Sequence, residues 1–171
     1  MLADHLIFIG FMGAGKTSVA QRVARFAKLN CIDMDTYLER EAGMSVARIF
    51  ELEGEAGFRQ REWEFLRGML IRDRCVLACG GGVVVREDSR ELLKQLGTVV
   101  YLMVDVAEAL ARISEPASRP LLVGETPPAE LLAARLSLYE DLADVTIDTN
   151  GRTVAQVVSE VQQRLREMDK L

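Results

Sequence analysis

Residues 7–18 of the chain read IFIGFMGAGKTS and contain the complete pattern G-x-x-x-x-G-K-T, which runs from Gly10 to Thr17. Apolar residues precede this pattern and residues at helical spacing follow it, so the sequence predicts a buried strand, a glycine-rich loop and a helix. In such a loop, backbone N–H groups and the N-terminus of the helix surround an anion. Lys16 suits the β- and γ-phosphates of a nucleotide, and the Thr17 hydroxyl suits Mg²⁺.

The chain as a whole has an ordinary soluble composition. It has 171 residues, of which 49% are hydrophobic and 27% charged, with a net charge of −5. This length favours a single domain over residues 1–171. The negative charge argues against nucleic acid or an anionic membrane as a partner. Asp4 and His5 lead directly into the first predicted strand and no run of 18 apolar residues occurs, so we expect a cytoplasmic protein without signal peptide or membrane span.

The cysteines and the single histidine do not form a metal-binding pattern. Cys31, Cys75 and Cys79 are an odd number, and their spacing is not that of a zinc site. We therefore interpret them as small buried residues at strand positions. We expect His5 at the edge of a strand rather than in catalysis.

Strands and helices alternate along the chain, which predicts a parallel sheet with helices on both faces. The apolar runs predict strands at residues 5–9, 31–33, 75–79, 99–104 and 145–148. The helical patterns cover residues 16–28, 35–42, 45–53, 55–70, 87–96, 105–113, 128–142 and 153–168. Ligands of such sheets bind beyond the carboxyl ends of the strands.

Two of these strand ends carry chemically informative residues. Asp33 and Asp35 are two residues apart, so in an extended segment both carboxylates face the same side. They either act on Mg²⁺ and a substrate hydroxyl, or they cap the helix that follows. Residues 80–82 are three glycines, which permit unusual backbone conformations and a close approach of a ligand to main-chain N–H groups.

Arg59 and Glu62 lie at i, i+3 in a predicted helix, close enough for the acid to orient the guanidinium. An arginine held in this way suits bidentate binding of a substrate carboxylate. The alternative is an ion pair on a charged, solvated helix surface.

Residues 114–126 contain Pro and Gly and show no clear hydrophobic period. Three further arginines lie before, within and after this stretch: Arg112, Arg119 and Arg135. Loops of this length are often lids. Arg119 either closes over the phosphates or is an exposed loop residue, and Arg112 suits stacking on an adenine. Arg135, at i, i+4 with Tyr139, is either a second carboxylate-binding arginine or part of a solvated helix face.

Taken together, these elements resemble the shikimate kinase family, a member of the nucleoside-monophosphate-kinase-like group of phosphate-loop proteins. The resemblance covers essentially the whole chain. Its matching segments are residues 10–17, Asp33-Met34-Asp35, Ile49-Phe50, Gly54-Glu55, Phe58-Arg59 with Glu62, residues 80–82, Arg119-Pro120-Leu121-Leu122, and Arg135 with Tyr139.

The resemblance implies a three-layer P-loop kinase fold with five parallel strands in the order 2-3-1-4-5. It implies substrate-binding helices at about residues 35–70, a mobile lid at about 112–125, and a monomer. The implied reaction is phosphorylation of the 3-hydroxyl of shikimate by ATP with Mg²⁺, a step towards chorismate and the aromatic amino acids.

The resemblance also implies a role for individual residues. The phosphates would be held by the segment Gly13, Ala14, Gly15, Lys16, Thr17 and Ser18. Mg²⁺ would be bound by Thr17, and through water by Asp33. Catalysis would use Asp35 as the base, with Lys16 and Arg119. Shikimate would contact Asp35, Arg59, Gly81, Gly82 and Arg135. The adenine would lie between Arg112 and Arg152.

Two features depart from the family pattern. Ala78 stands where many relatives have serine, so a hydroxyl link to the metal shell is absent there, and the loop at residues 114–118 is specific to this chain. A related kinase for another small molecule, such as gluconate, remains an alternative. A non-catalytic nucleotide-binding module is a second alternative, which would predict loss of Lys16, Asp35 or Arg119.

Overall fold

A five-stranded parallel sheet forms the centre of the protein in a computed structural model that describes residues 3–113 and 124–171. The strands are β1 (His5–Ile9), β2 (Asn30–Asp33), β3 (Cys75–Ala78), β4 (Gly97–Met103) and β5 (Val145–Asp148). Their order is β2-β3-β1-β4-β5, and each neighbouring pair is parallel. The predicted fold and strand order are confirmed.

The helices within the described residues connect these strands and cover the sheet. They are α1 (Lys16–Ala27), α2 (Met34–Ala42), α3 (Val46–Met69), α4 (Glu87–Leu96), α5 (Val106–Arg112), α6 (Pro128–Leu142) and α7 (Val154–Glu167). The two predicted helices at 45–53 and 55–70 are the two halves of α3. Gly54 separates them with φ 71° and ψ 179°, which lies outside the helical region. Residues 114–123 of the predicted lid lie outside the described residues.

Strand β1 decides where the ligand-binding edge lies. All five of its residues are fully buried, because it is the central strand and helices cover both of its faces. Phe8 pairs with Ala78 of β3, and Ala78 pairs with Asp33 of β2. The three strands therefore end level with one another. The phosphate loop, the start of α2 and the triple glycine leave the sheet side by side.

His5 is the first residue of β1, at the edge of the strand as expected, and it is fully buried. Its Nδ1 accepts a hydrogen bond from the Cys75 backbone N–H at 3.2 Å, so in the neutral ring Nε2 carries the hydrogen. This Nε2 lies 3.1 Å from the Met69 carbonyl oxygen. Both ring nitrogens are thus satisfied without water, which allows a histidine at a core position.

The three cysteines are free thiols, and the expectation that they are buried at strand positions holds for Cys75, whereas Cys79 follows β3 directly. Cys75 and Cys79 are buried, whereas Cys31 is only half-buried because β2 is an edge strand. Burial raises the pKa of the Cys75 thiol to about 11. Among the helices of the described segments, none combines the length and the apolar character needed to cross a membrane.

Replacement of Gly97 by alanine tests how tightly β1 and β4 are joined. Gly97 has φ 158°, and a Cβ there would overlap the backbone of His5. We expect Gly97→Ala to lower the free energy of unfolding by at least about 2 kcal/mol, measured by urea denaturation. Gly68→Ala is the matched control, because this helical glycine has open space around its Cβ position. The control should be neutral or stabilising by up to about 1 kcal/mol. Equal effects of the two changes would contradict this account.

Candidate active site

The phosphate loop is shaped by two glycines and by helix α5. Gly13 and Gly15 have φ 79° and 90°, in the left-handed region that favours glycine. A Cβ on Gly13 would lie 2.5 Å from the Ala109 carbonyl oxygen, so α5 packs directly on the loop. Gly15 is the N-cap of α1, and no side chain of the described residues caps that helix. The first N–H groups of α1 are therefore available to an anion.

Lys16 stabilises the same loop with its side chain. The Lys16 ammonium donates hydrogen bonds to the carbonyl oxygens of Gly10, at 2.7 Å, and Phe11, at 2.9 Å. Both carbonyls belong to the loop, so the charge is held beside the backbone that would surround a phosphate. Lys16 lines the cleft described below.

Asp33 caps α2, as one of the two alternatives from the sequence has it, and also contacts Thr17; its action on Mg²⁺ stays a prediction. Its Oδ1 accepts a hydrogen bond from the Thr36 N–H at 3.0 Å and caps α2, while its Oδ2 accepts one from the Thr17 hydroxyl at 2.5 Å. Asp35 already lies in the first turn of α2, so the prediction of an extended segment with two carboxylates on one side was wrong. Asp33 and Asp35 nevertheless line the same cleft, because α2 begins at the end of β2.

The triple glycine is required for space and not for an unusual backbone conformation. Gly80, Gly81 and Gly82 are absent from the residues with positive φ, so that part of the prediction was wrong. A Cβ on Gly82 would overlap the Arg59 guanidinium, and one on Gly80 would lie 2.9 Å from Oδ1 of Asp35. The groups that lie against these glycines are the Arg59 and Asp35 side chains, and the approach of a ligand to the main-chain N–H groups stays a prediction.

Arg59 and Glu62 form a buried ion pair, so the alternative of a solvated surface pair is excluded. Arg59 Nη1 donates to Glu62 Oε2 at 2.7 Å, and the two side chains are 6% and 1% exposed. Arg59 Nη2 also donates to Glu55 at 3.2 Å. The rings of Phe50 and Phe58 lie with their centroids 5.9 and 5.5 Å from the guanidinium carbon.

Hydrogen bonding within this pair is incomplete. Arg59 Nε and Glu62 Oε1 are buried and have no hydrogen-bond partner in residues 3–113 and 124–171. Burial raises the pKa of the Glu62 carboxyl to about 7, and the nearby Asp35 charge adds to this rise. The charges of Arg59 and Arg135 oppose it. The pair therefore leaves hydrogen-bonding capacity for a further polar group.

Arg135 is buried on α6, which excludes a solvated helix face. It is 4% exposed, and its Nη1 has no hydrogen-bond partner in the described part of the chain. Tyr139, one turn later, is fully buried and donates a hydrogen bond to the Gly81 carbonyl oxygen. Helix α6 thus brings a second arginine and a tyrosine to the triple glycine.

Arg112 is fixed by four hydrogen bonds that the sequence did not predict. Its guanidinium donates to the carbonyl oxygen of Gly13, to the hydroxyl and the carbonyl oxygen of Thr149, and to the Glu108 carboxylate. The same Glu108 carboxylate accepts a hydrogen bond from the Gly151 N–H at 2.9 Å. Only the i, i+4 spacing of Glu108 and Arg112 signals this network in the sequence.

Among the predicted site arginines that the structure describes, Arg152 is the one that does not line the cleft. It donates to the Asp148 carbonyl oxygen at 2.8 Å and forms an ion pair with Glu160. Arg119 lies outside the described residues. Ala14 is buried within the phosphate loop and contributes backbone only.

The remaining predicted residues meet in one cleft of about 700 Å³ at the carboxyl edge of the sheet. Its charged lining is balanced: the basic residues are Lys16, Arg59, Arg112 and Arg135, and the acidic residues are Asp33, Asp35, Glu39 and Glu62. Lining residues that carry no predicted role include Thr36, Glu39, Phe50, Phe58 and Cys79. Although the protein as a whole has a net charge of −5, its cleft is lined by as many basic as acidic side chains.

Comparison with known proteins gives a consistent result. A family model described as shikimate kinase matches residues 12–166. A shikimate kinase of Bordetella pertussis is 40% identical over 168 residues, which are 96% of this chain and 80% of the relative. A shikimate kinase of Francisella tularensis subsp. novicida is also 40% identical, over 92% of both chains.

A solved structure agrees with these sequence matches. The shikimate kinase from Acinetobacter baumannii in complex with shikimate has a TM-score of 0.91 and 38% sequence identity to this chain. The match covers 96% of this chain and 94% of that one. The chain belongs to the shikimate kinase family.

Proposed function

We propose that the protein transfers the γ-phosphoryl group of ATP to the 3-hydroxyl of shikimate, which yields shikimate 3-phosphate for the synthesis of chorismate and aromatic amino acids. The observation that carries this proposal is a single cleft that contains a phosphate loop and two buried arginines with unsatisfied nitrogens. Family membership, and the likeness to a relative that binds shikimate, support the same conclusion.

The acceptor side of the cleft suits a small hydroxylated carboxylate. Shikimate has one carboxylate and three hydroxyls. Arg59 and Arg135 would bind the carboxylate, because each is buried and keeps a nitrogen without a partner among the described residues. Asp35 and the main chain of Gly81 and Gly82 would contact the hydroxyls. These three residues line the cleft beside the arginines.

The donor side suits the phosphates of ATP. The N–H groups of residues 13–18 would surround them at the uncapped N-terminus of α1. Lys16 would exchange its contacts with the loop carbonyls for contacts with the β- and γ-phosphates. Its charge would then lie where negative charge develops during transfer.

Mg²⁺ fits the oxygen donors that lie next to the loop. The Thr17 hydroxyl and the Asp33 carboxylate are already hydrogen-bonded to each other, and Mg²⁺ prefers such hard oxygen ligands together with water and phosphate oxygens. No group of three or more His, Cys, Asp or Glu residues that could hold a metal occurs in the described segments. The ion would therefore be bound together with the nucleotide, by Thr17 and through water by Asp33. When bound, it supplies positive charge to the phosphates.

Asp35 is the proposed general base. It lies in the first turn of α2, beside Gly80 and within the cleft. Its carboxylate would accept the proton of the 3-hydroxyl as that oxygen attacks the γ-phosphorus, and ADP would leave. Phosphoryl transfer depends mainly on positioning and on charge stabilisation, so one base and several cations are sufficient. Arg119 would add a cation from the lid of residues 112–125.

Arg112 is the better supported of the two proposed adenine contacts. Its N–H groups bind protein atoms around the edge of the guanidinium, which leaves the flat faces for stacking. Arg152 has its guanidinium on the Asp148 carbonyl oxygen and Glu160. Because Arg152 also does not line the cleft, an adenine contact by Arg152 would need this side chain to move towards it.

The remaining proposals concern the protein as a whole. Residues 1–171 would form a single domain in which α2 and α3 carry the acceptor site. The protein would act as a cytoplasmic monomer. Neither nucleic acid nor a membrane is proposed as a partner, because the net charge is −5 and the matched cations face a small cleft.

Release of ADP from MgATP tests the proposed function, with shikimate, quinate and gluconate assayed in parallel. We expect turnover with shikimate, because two arginines and one aspartate match its carboxylate and hydroxyls. Asp35→Asn should lower kcat by about 10²- to 10⁴-fold and leave ATP binding unchanged, since the phosphate loop is intact. The exposed Glu51→Gln is the control and should behave as wild type. Turnover with gluconate alone would overturn the assignment of the acceptor.

Arg59→Ala tests the carboxylate site. We expect KM for shikimate to rise about 10- to 100-fold, because a charge-assisted hydrogen bond is lost, whereas KM for ATP should change less than about threefold. Arg61→Ala is the matched control, because Arg61 pairs with Glu53 on the surface of the same helix. A similar rise of both KM values in Arg59→Ala would contradict the assignment.

The raised pKa of Glu62 predicts a specific pH dependence of stability. The carboxyl has an ordinary pKa of 4.5 and a folded-state pKa of about 7, so between these values the folded state binds more protons than the unfolded state. The stabilisation from this group is therefore complete below pH 4.5 and is lost as the pH rises through about 7. The charged groups that face Glu62 are Asp35, Arg59 and Arg135.

Urea denaturation of the wild type and Glu62→Gln between pH 5 and 8 measures this dependence. As the pH rises, the unfolding free energy of the wild type should fall relative to that of Glu62→Gln by up to about 3 kcal/mol. Glu51→Gln, which changes an exposed carboxylate, should follow the wild type at every pH. A wild-type curve parallel to that of Glu62→Gln would exclude a raised pKa for this group.

A further inference from the structure

Tyr139 has no role among the predicted site residues, and its surroundings hold its ring firmly. The side chain is fully buried, and the ring stacks on that of Tyr101 in β4. The two ring centroids are 5.1 Å apart, and the planes differ by 16°. A ring held in this way presents its hydroxyl in one direction only.

That hydroxyl reaches the triple glycine. It donates a hydrogen bond to the Gly81 carbonyl oxygen at 2.5 Å, across 58 residues of sequence. Burial raises the pKa of Tyr139 to about 12, although the charge of Arg135 opposes the rise. The phenol therefore keeps its hydrogen, and remains a donor, throughout the pH range of a kinase assay.

Peptide geometry transmits this contact to the next residue. The Gly81 carbonyl and the Gly82 N–H belong to one planar trans peptide unit, in which they point in nearly opposite directions. A hydrogen bond that fixes the carbonyl therefore also fixes the direction of the N–H. Gly82 lies against the Arg59 guanidinium and lines the cleft, so this N–H belongs to the acceptor site.

The same hydroxyl lies near the second arginine proposed to bind the carboxylate. Arg135 precedes Tyr139 by one helical turn on α6, where residues at i and i+4 are neighbours, and its positive charge acts on the phenol. The phenol is thus close to Arg135 on its own helix and is hydrogen-bonded to the Gly81 peptide on the opposite segment. It connects two groups that would bind the same small molecule.

We propose that the Tyr139 hydroxyl is a positioning group for the acceptor substrate, which fixes the Gly81–Gly82 peptide and Arg135 in one arrangement. The proposal rests on the proposed function, because it assigns a determinant of acceptor binding in that same site. If Tyr139 served only for packing, the aromatic ring would be sufficient, and loss of the hydroxyl would not change substrate binding.

Tyr139→Phe separates the two roles, because it keeps the stacked ring and removes only the hydroxyl. We expect KM for shikimate to rise about five- to tenfold and KM for ATP to stay within twofold of the wild type. Isothermal titration of shikimate into the protein should show the same weakening without turnover. Tyr101→Phe is the matched control, because it removes the hydroxyl of the other ring in the stack. It should leave both KM values within twofold of the wild type.

Three results would overturn the proposal. The first is a Tyr139→Phe variant whose KM for shikimate is within twofold of the wild type. The second is a similar rise of both KM values, and the third is an equal effect of Tyr101→Phe. If the proposed function is wrong, the wild type itself will not phosphorylate shikimate, so this case is distinguished from a failure of the Tyr139 proposal alone. Circular dichroism and Tm of both variants verify that each is folded when its kinetics are measured.

Discussion

The level ends of three parallel strands are the constraint on which the site depends. Phe8, Ala78 and Asp33 lie side by side across β1, β3 and β2, so the segments that follow leave the sheet at one edge. One of these segments is the phosphate loop, one is the start of α2, and one is the triple glycine. Each carries a different chemical task, and none could be moved by a residue without loss of contact to the others, because the side-chain direction alternates along a strand.

Burial of charge gives this edge its chemical character. Removing Arg59 and Glu62 from water costs free energy that their mutual attraction offsets only with good geometry and complete hydrogen bonding. Here the hydrogen bonding is incomplete, and the pKa of Glu62 is raised to about 7. An anionic ligand would supply hydrogen-bond acceptors to Arg59 on α3 and to Arg135 on α6. The incomplete bonding of this cluster costs stability in the free protein, as is common at functional sites, and supports the proposed role in ligand binding.

Much of the fold could be predicted because its signals are local. Apolar runs and helical spacing placed every helix of the described segments within one residue of its observed bounds. The strand order came from the resemblance, since no local pattern encodes it. The buried hydrogen bonds of His5 were not predicted, because its partners, Met69 and Cys75, are 64 and 70 residues away in sequence. The contact between Arg112 and Thr149, which spans 37 residues, was missed for the same reason.

The triple glycine shows why a correct motif can still be misread. Three glycines in sequence suggest conformational freedom, yet the space that their missing side chains leave is what the fold uses. The Arg59 guanidinium fills the volume that a Cβ of Gly82 would need, and Asp35 approaches Gly80 in the same way. Any side chain at these positions would displace the charged groups even if it carried no charge itself. Under the proposed function, recognition of the acceptor would therefore depend on the volume left by the backbone as much as on the Arg59 and Asp35 side chains that lie in it.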